Sequence, residues 1–395
     1  MSKKVIVLGV TGGIAAYKSA VLASNLLKKG YEIHVVMTKN ATEFVTPLTF
    51  EVLTNNKVVV DTFDRNFGYN VNHVSLAKIA ELFVVVPATA NVIAKFATGV
   101  ADDMLTTSYL AFQCPTLIAP AMNTAMFEHV ATQRNIELLR NDGVRFVEPG
   151  VGYLACGDVG SGRLADICDI EDEIEFLLSK DLKLSGRKVV ITAGPTEEAM
   201  DPVRFVSNHS SGKMGYALAR AARNFGADVV LISGPTHLKP PRLVDVILVT
   251  SADDMYAETM KHLDYDFFIA SAAVSDYRPA EMSNHKLKKT DMTDGFQLKL
   301  TENVDIVGTI ASKKKAHQLV IAFAMETENL IENAKMKLVK KQVDMVVAND
   351  LTDVDSGFKS DTNKAVFVTN NSETQLSLMS KDDLAVKILD RMVEL

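Results

Sequence analysis

The stretch SNHSSGKMG (207–215) gathers serines, an asparagine, a histidine, a lysine and two glycines. Backbone N–H groups of such a turn, set before a helix, can hold phosphate or carboxylate oxygens. It is not an ATPase phosphate loop. Ser207 stands where that pattern has its first glycine, and Met214 follows Lys213 in place of Ser or Thr. An earlier turn, Gly9-Val10-Thr11-Gly12-Gly13, lacks the G-x-G-x-x-G order of dinucleotide sites.

Other segments carry groups able to do chemistry. His73 in NHVSLA (72–77) can act as a base or phosphate contact, or simply cap a helix. In PATANVIAKFATG (87–99), Thr89 and Asn91 fall at a strand's carboxyl end, where open α/β sheets bind ligands; ordinary N-capping is the alternative. In APAMNTAMFEH (119–129), Asn123 can cap a helix or hold a substrate carboxylate, while the i, i+4 spacing of Met122 and Met126 suits a core. Cys156, in a glycine-rich loop, is either incidental or a proton donor on a closing lid. Cys114 and Cys168 read as structural, and no C-x-x-C pair suggests zinc. In SAAVSDYRPA (271–280) small residues would let a nucleotide approach the backbone, and Asp276 could meet a base, a ribose or a metal. HKLKKT (285–290) and KMKLVKK (335–341) offer lysines as phosphate clamps or as solvated faces.

These residues need a scaffold. KVIVLGV (4–10), EIHVVMT (32–38), LFVVVPAT (82–89), PTLIAPAMN (115–123) and VRFVEP (144–149) read as buried strands with helices between, such as 14–29. This βαβ grammar predicts an α/β fold with a doubly wound parallel sheet. GVGYLACGDVGSGRL (150–164) reads as a long lid or binding loop, followed by a helix at about 169–180. DLKLSGR (181–187) reads as a polar joint. The pattern then restarts with KVVITAGPT (188–196), a helix at about 212–225 and ADVVLISGPT (227–236). The strands of 188–196 and 227–236 end alike, in Gly-Pro-Thr.

Composition narrows the class. The net charge of −7 argues against nucleic acid as a partner, so any anion must be held by local groups. No apolar run is long enough to span a membrane, and three cysteines in 395 residues suggest a reducing cytoplasm. This length favours two domains.

Taken together, the segments resemble the bifunctional phosphopantothenoylcysteine decarboxylase/phosphopantothenate–cysteine ligase family. Residues 1–180 resemble its flavin-dependent cysteine decarboxylase half through NHVSLA with His73, Pro120-x-Met122-Asn123-x-x-Met126, and ACGD around Cys156. Residues 188–395 resemble its ligase half through DPVRFVSNHSSGKMG, AAVSDYRPA and KLKK, with 181–187 as linker. One departure is Phe127, where members often carry Trp.

The resemblance implies a flavodoxin-like or Rossmann-like doubly wound parallel sheet in the flavin half, a second, Rossmann-like α/β domain in the ligase half, and two consecutive reactions. The ligase half would activate the carboxylate of 4′-phosphopantothenate with CTP and Mg²⁺ as an acyl-cytidylate, which the amine of L-cysteine then attacks. Asn208 would bind and turn over that intermediate, with Arg204 as a substrate companion. The nucleotide would meet Ala270, Ser271, Ala272, Asp276, Lys286, Val304, Asp305, Ile306, Val307, Phe323, Lys337 and Lys341. The decarboxylase half would bind FMN near Gly12, Gly13, Thr38, Thr89 and Asn91. His73 would be the base, Asn123 would hold the carboxylate and Cys156 would give the proton. No metal ligand is assigned. The family builds homo-oligomers, trimers through the flavin half and dimers through the ligase half. Two rival readings are a nicotinamide-dependent oxidoreductase and a flavin-binding module without catalysis. The missing G-x-G-x-x-G opposes the first, and His73, Asn123 and Cys156 together oppose the second.

Overall fold

The computed structural model describes residues 3–63, 72–153, 157, 159–179, 181–288, 297–326, 328–350 and 360–395. The chain divides into two compact units, Met1–Ser179 and Lys180–Leu395.

In the first unit, strands β1 (Val5–Val10), β2 (Glu32–Met37), β3 (Leu82–Ala88), β4 (Thr116–Pro120) and β5 (Arg145–Phe146) form one parallel sheet in the order 2-1-3-4-5. Helices α1 (Ala16–Lys28), α2 (Pro47–Thr54), α3 (Asn72–Ile79), α4 (Ala90–Thr98), α5 (Met104–Ala111), α6 (Thr124–Glu128), α7 (Val130–Asn141) and α8 (Ile167–Leu178) surround it. One face packs on Leu22 and Leu26 of α1 and Ile170 and Ile174 of α8; the other packs on Ile93 and Phe96 of α4 and Leu139 of α7. Both faces are therefore dry, which is why β3 reads as an unbroken apolar run and is buried at every residue. Strand order reverses between β1 and β3, leaving a crevice at their carboxyl ends.

The segment 150–164, expected as a loop, contains a hairpin of β6 (Gly150–Tyr153) and β7 (Val159–Arg163). Gly162 at φ 117° lets β7 lie against the strand β4 exit: Met122 N donates to Gly162 O at 2.9 Å, and a Cβ on Gly162 would sit 2.4 Å from Met122 O. Cys156 lies outside the described residues.

The second unit carries an eight-stranded sheet. It is built from β8 (Lys188–Ala193), β11 (Asp228–Ser233), β12 (Asp245–Leu248), β13 (Phe267–Ala270), β16 (Leu319–Glu326), β17 (Met345–Asp350), β19 (Ala365–Thr369) and β20 (Glu373–Gln375). Pairs of short strands stand apart from it: β9 (Glu198–Ala199) with β10 (Phe205–Val206), β14 (Tyr277–Pro279) with β15 (Leu300–Glu302), and β18 (Thr362–Asn363) with β21 (Met379–Ser380). The order is 12-11-8-13-16-17-19-20; the first six strands are parallel, β19 is antiparallel to β17, and β20 is antiparallel to β19. The parallel part has the 3-2-1-4-5-6 order of a doubly wound dinucleotide fold, with its reversal between β8 and β13. Helices α9 (Lys213–Asn224) and α13 (Lys381–Val393) cover one face. Helices α10 (Ala252–Thr259), α11 (Ile306–Lys313) and α12 (Leu330–Lys341) cover the other. Residues 181–187 fold onto this unit: Leu184 is buried in its core, and its N–H donates to Phe225 O at 2.9 Å.

The two Gly-Pro-Thr turns meet at the reversal. A Cβ on Gly234 would lie 1.8 Å from Pro195 O, and one on Gly212 would lie 2.7 Å from Thr236 Cγ2. Neighbouring backbone cannot yield to such an overlap without moving the turn. Gly234→Ala is therefore expected to cost at least about 3 kcal/mol by overpacking, lowering the second unit's Tm by roughly 6–12 °C. Calorimetry of the full chain reads this; an unchanged thermogram would contradict the close approach.

Candidate functional site

The first unit has a cavity of about 430 Å³ at the carboxyl ends of β1 and β3. Its floor is tied together by Thr11, which donates to Pro87 O at 2.7 Å and accepts from Thr89 N at 3.1 Å. The turns after β1 and β3 are thus held as one piece. Gly12 presses on the next turn, where a Cβ would sit 2.5 Å from Asn40 Cβ, whereas a Cβ on Gly13 would meet Thr89 Cγ2 at an ordinary contact distance of 4.0 Å. Gly12 and Gly13 line one wall before α1, and Thr89 borders them. Met122, Asn123 and Met126 form a second wall, and Tyr153 and Arg163 reach in from the β6–β7 hairpin. Met126, expected in a core, is half exposed and lines the cavity.

Both capping alternatives are realised. Thr89 accepts from Val92 N at 3.4 Å and starts α4, and Asn123 Oδ1 accepts from Ala125 N at 2.9 Å and starts α6. Each cap bond ties its side chain at the cavity edge and occupies one helix N–H and one side-chain oxygen. Thr38 is also a cap, accepting from Ala41 N at 3.3 Å. Thr38 and the exposed Asn91 do not line the cavity, and neither does His73, half-buried in the first turn of α3.

The second unit has a cavity of about 380 Å³ at the carboxyl ends of β8, β13, β16 and β17. Asn208 bridges its two sides. Its Nδ2 donates to Ala273 O, and its Oδ1 accepts from Ser210 N at 3.0 Å. Ser207 Oγ donates to Thr196 O at 2.8 Å, and Ser275 N donates to Thr196 Oγ1 at 3.0 Å, so the turn 207–212 and the segment after β13 share one anchor. Lys337 on α12 donates to Phe323 O at 2.7 Å. The described lining residues include Lys213, Lys337 and Lys381 against the carboxylate of Asp276.

The structure brings Asn208, Ser271, Ala272, Asp276, Phe323 and Lys337 to this cavity. Ala270, Lys286, Val304, Asp305, Ile306, Val307 and Lys341 are not in its lining. Asp305 caps α11 and pairs with Lys341. Burial opposes ionisation of Asp305, but the Lys341 ammonium and the Gly308 N–H outweigh it and keep its carboxyl below the usual range. Arg204, expected at the substrate, turns to the buried Asp201 and to Leu287 O at 2.9 Å, and Leu287 N donates to Asp201 Oδ2 at 3.1 Å. The Arg204 guanidinium holds the Asp201 carboxyl well below the carboxylate range. Together they fix the main chain beside Lys286.

The comparisons with known proteins agree with this division. A flavoprotein family profile matches residues 1–179, and the DNA/pantothenate metabolism flavoprotein C-terminal domain matches residues 184–395. A coenzyme A biosynthesis bifunctional protein CoaBC from Bacillus subtilis is 45% identical over 100% of this chain and 98% of its own. The chain belongs to the CoaBC family of bifunctional coenzyme A biosynthesis proteins. The CoaBC protein of Vibrio parahaemolyticus is 42% identical over 100% of this chain and 99% of its own. The crystal structure of the C-terminal domain of a CoaBC protein is 40% identical, covers 54% of this chain and 96% of its own, and has a TM-score of 0.46. In this CoaBC family member, sequence reasoning missed Asn349, Asn363 and Lys381, which line the second cavity. A signal existed for one: Asn349 ends the apolar run MVVAN, where an open sheet presents its ligand side.

Proposed function

We propose that the second unit joins L-cysteine to 4′-phosphopantothenate at the expense of CTP, and that the first unit decarboxylates the resulting phosphopantothenoylcysteine to 4′-phosphopantetheine with FMN. The observation that carries the reading is a pair of cavities, each at the strand-order reversal of its own sheet, the second edged by three lysines in a chain of net charge −7. Negative charge grows at the nucleotide's α-phosphate as the carboxylate attacks, and Lys337 and the N-terminal end of α9, which line the cavity, would supply a cation and N–H groups to it. Asn208 holds the activated carboxylate, and Ser271, Ala272, Asp276 and Phe323 border the cytidine. Lys286, Val304, Asp305, Ile306, Val307 and Lys341 complete the nucleotide site from outside the lining. Among the described residues no cluster of three metal-ligating side chains exists. Mg²⁺ fits this donor set, because it binds through one carboxylate, here Asp276, and nucleotide phosphates.

The first cavity fits FMN. Its wall is largely apolar and methionine-bearing, its end is the N-terminus of α1, and Lys18 and Arg163 border it, as suits a flat ring carrying a phosphate. Bound FMN supplies a two-electron acceptor that makes loss of CO₂ possible and later returns the electrons. Asn123 holds the substrate carboxylate, His73 takes the thiol proton, and Cys156 returns a proton. His73 comes from a neighbouring subunit of a trimer. Support for that assembly lies in apolar side chains left exposed on neighbouring helices: Tyr17 and Val21 on α1, Leu48 and Val52 on α2. The ligase units pair as dimers. No helix among the described residues is long and apolar enough to cross a membrane; with few cysteines, the cytoplasm is the proposed location.

The test is a coupled assay on full-length protein with FMN, CTP, Mg²⁺, 4′-phosphopantothenate and L-cysteine. Stoichiometric pyrophosphate, CO₂ and a product of the mass of 4′-phosphopantetheine are expected. Protein that stays colourless after FMN addition, or forms neither gas nor pyrophosphate, would overturn the reading.

A further inference from the structure

One end of the second cavity is formed by side chains with no role so far. Lys213, the first residue of α9, donates to Asp361 at 2.6 Å. Lys381, the first residue of α13, is 6% exposed and donates to Ser360 O at 2.6 Å. Asn363 is 3% exposed and Asn349 4%. All four line the cavity. The Oδ1 of Asn349 is buried without a hydrogen-bond partner. Buried polar atoms in folded proteins are paired, so an orphaned amide end in a cavity wall marks a place for a ligand group. Turned about χ2, the same amide offers N–H donors to an oxyanion.

The lysine is the stronger signal. Burying an ammonium costs free energy unless charge or hydrogen bonds compensate. Burial and the Lys213 charge together pull Lys381 down to about 8, although Asp361 opposes them. Among the described residues, the neighbouring charges on its own helix are engaged, Asp382 with Arg220 and Asp383 with the Ser380 cap, and Asp276 and Lys337 share the cavity.

We propose that Lys381, Lys213, Asn349 and Asn363 form an oxyanion subsite for a phosphate group of a ligase substrate, with Lys381 touching the phosphate oxygens. This rests on the ligase reading of the second unit. The phosphate is either in the triphosphate of CTP or on 4′-phosphopantothenate. The charge-assisted bonds are the same for both, and only the partner molecule differs.

Calorimetric titration of the FMN-loaded full chain separates the sources. CTP is compared with cytidine, and 4′-phosphopantothenate with pantothenate, in wild type, Lys381→Met and Lys381→Arg. Lys381→Met is expected to weaken one phosphorylated ligand at least ~10-fold and leave its phosphate-free counterpart unchanged. Lys381→Arg is expected to bind within a few-fold of wild type. Near pH 8, in buffers of different ionisation enthalpy, wild type is expected to take up a fraction of a proton as the bound phosphate raises the Lys381 pKa. Lys381→Arg takes up none, because arginine stays charged. If Lys381→Met does not fold, the wild-type and Lys381→Arg proton counts decide. Equal affinity in folded Lys381→Met, equal weakening of the phosphate-free ligand, or no proton uptake by wild type would overturn the subsite while leaving the ligase reading intact. Wild type that binds neither CTP nor 4′-phosphopantothenate would overturn both.

Discussion

Asn208→Asp is expected to stop ligation and to leave decarboxylation of supplied phosphopantothenoylcysteine at the wild-type rate. The amide of Asn208 both gives and takes, donating to Ala273 O and accepting from Ser210 N. Aspartate keeps the second bond but sets an anionic oxygen against the Ala273 carbonyl. It also adds negative charge to a cavity meant for a carboxylate and phosphates. Loss of one preorganised donor of this kind costs on the order of 10²–10³ in rate, and the added charge deepens the loss. Pyrophosphate release reads the ligase step, and CO₂ release from added intermediate reads the other. Pyrophosphate release near the wild-type rate would take Asn208 out of the reaction.

The second large effect separates chains from sites. His73→Asn and Asn123→Asp should each lower decarboxylation by about 10²–10⁴, the range of a lost acid–base or positioning group, with both proteins still yellow. The cavity of a single chain gathers Asn123 but not His73. If a neighbouring subunit supplies His73, random mixed trimers of the two variants contain sites with both groups intact. Equal mixing then restores about a quarter of wild-type activity, since each intact half is present with even odds. A site built within one chain would regain nothing on mixing, and that outcome would remove the shared-site assignment.

Much of the scaffold was legible because parallel strands buried on both faces leave unbroken apolar runs. Expected 82–89 became Leu82–Ala88, and expected 188–196 became Lys188–Ala193 followed by the Gly-Pro-Thr turn. The hairpin at 150–164 was hidden, because its glycines look like loop punctuation until Gly162 is seen against Met122 O. Arg204 is expected from the resemblance as a substrate companion, and its pairing with Asp201 is not foreseen although the two stand three residues apart in DPVR. Asn349, Asn363 and Lys381 come from β17, β18 and the start of α13, and only the strand order assembles them at one wall. Sequence spacing carries no trace of such convergence.

Each unit closes its own core: the buried clusters around Leu8 and Phe83 contain only residues of the first, and those around Ile191 and Phe268 only residues of the second. Two self-sufficient folds on one polypeptide mean that translation delivers the amide-forming and carbon dioxide-releasing catalysts in a fixed one-to-one ratio. Supply of the intermediate and capacity to consume it rise and fall together with a single message.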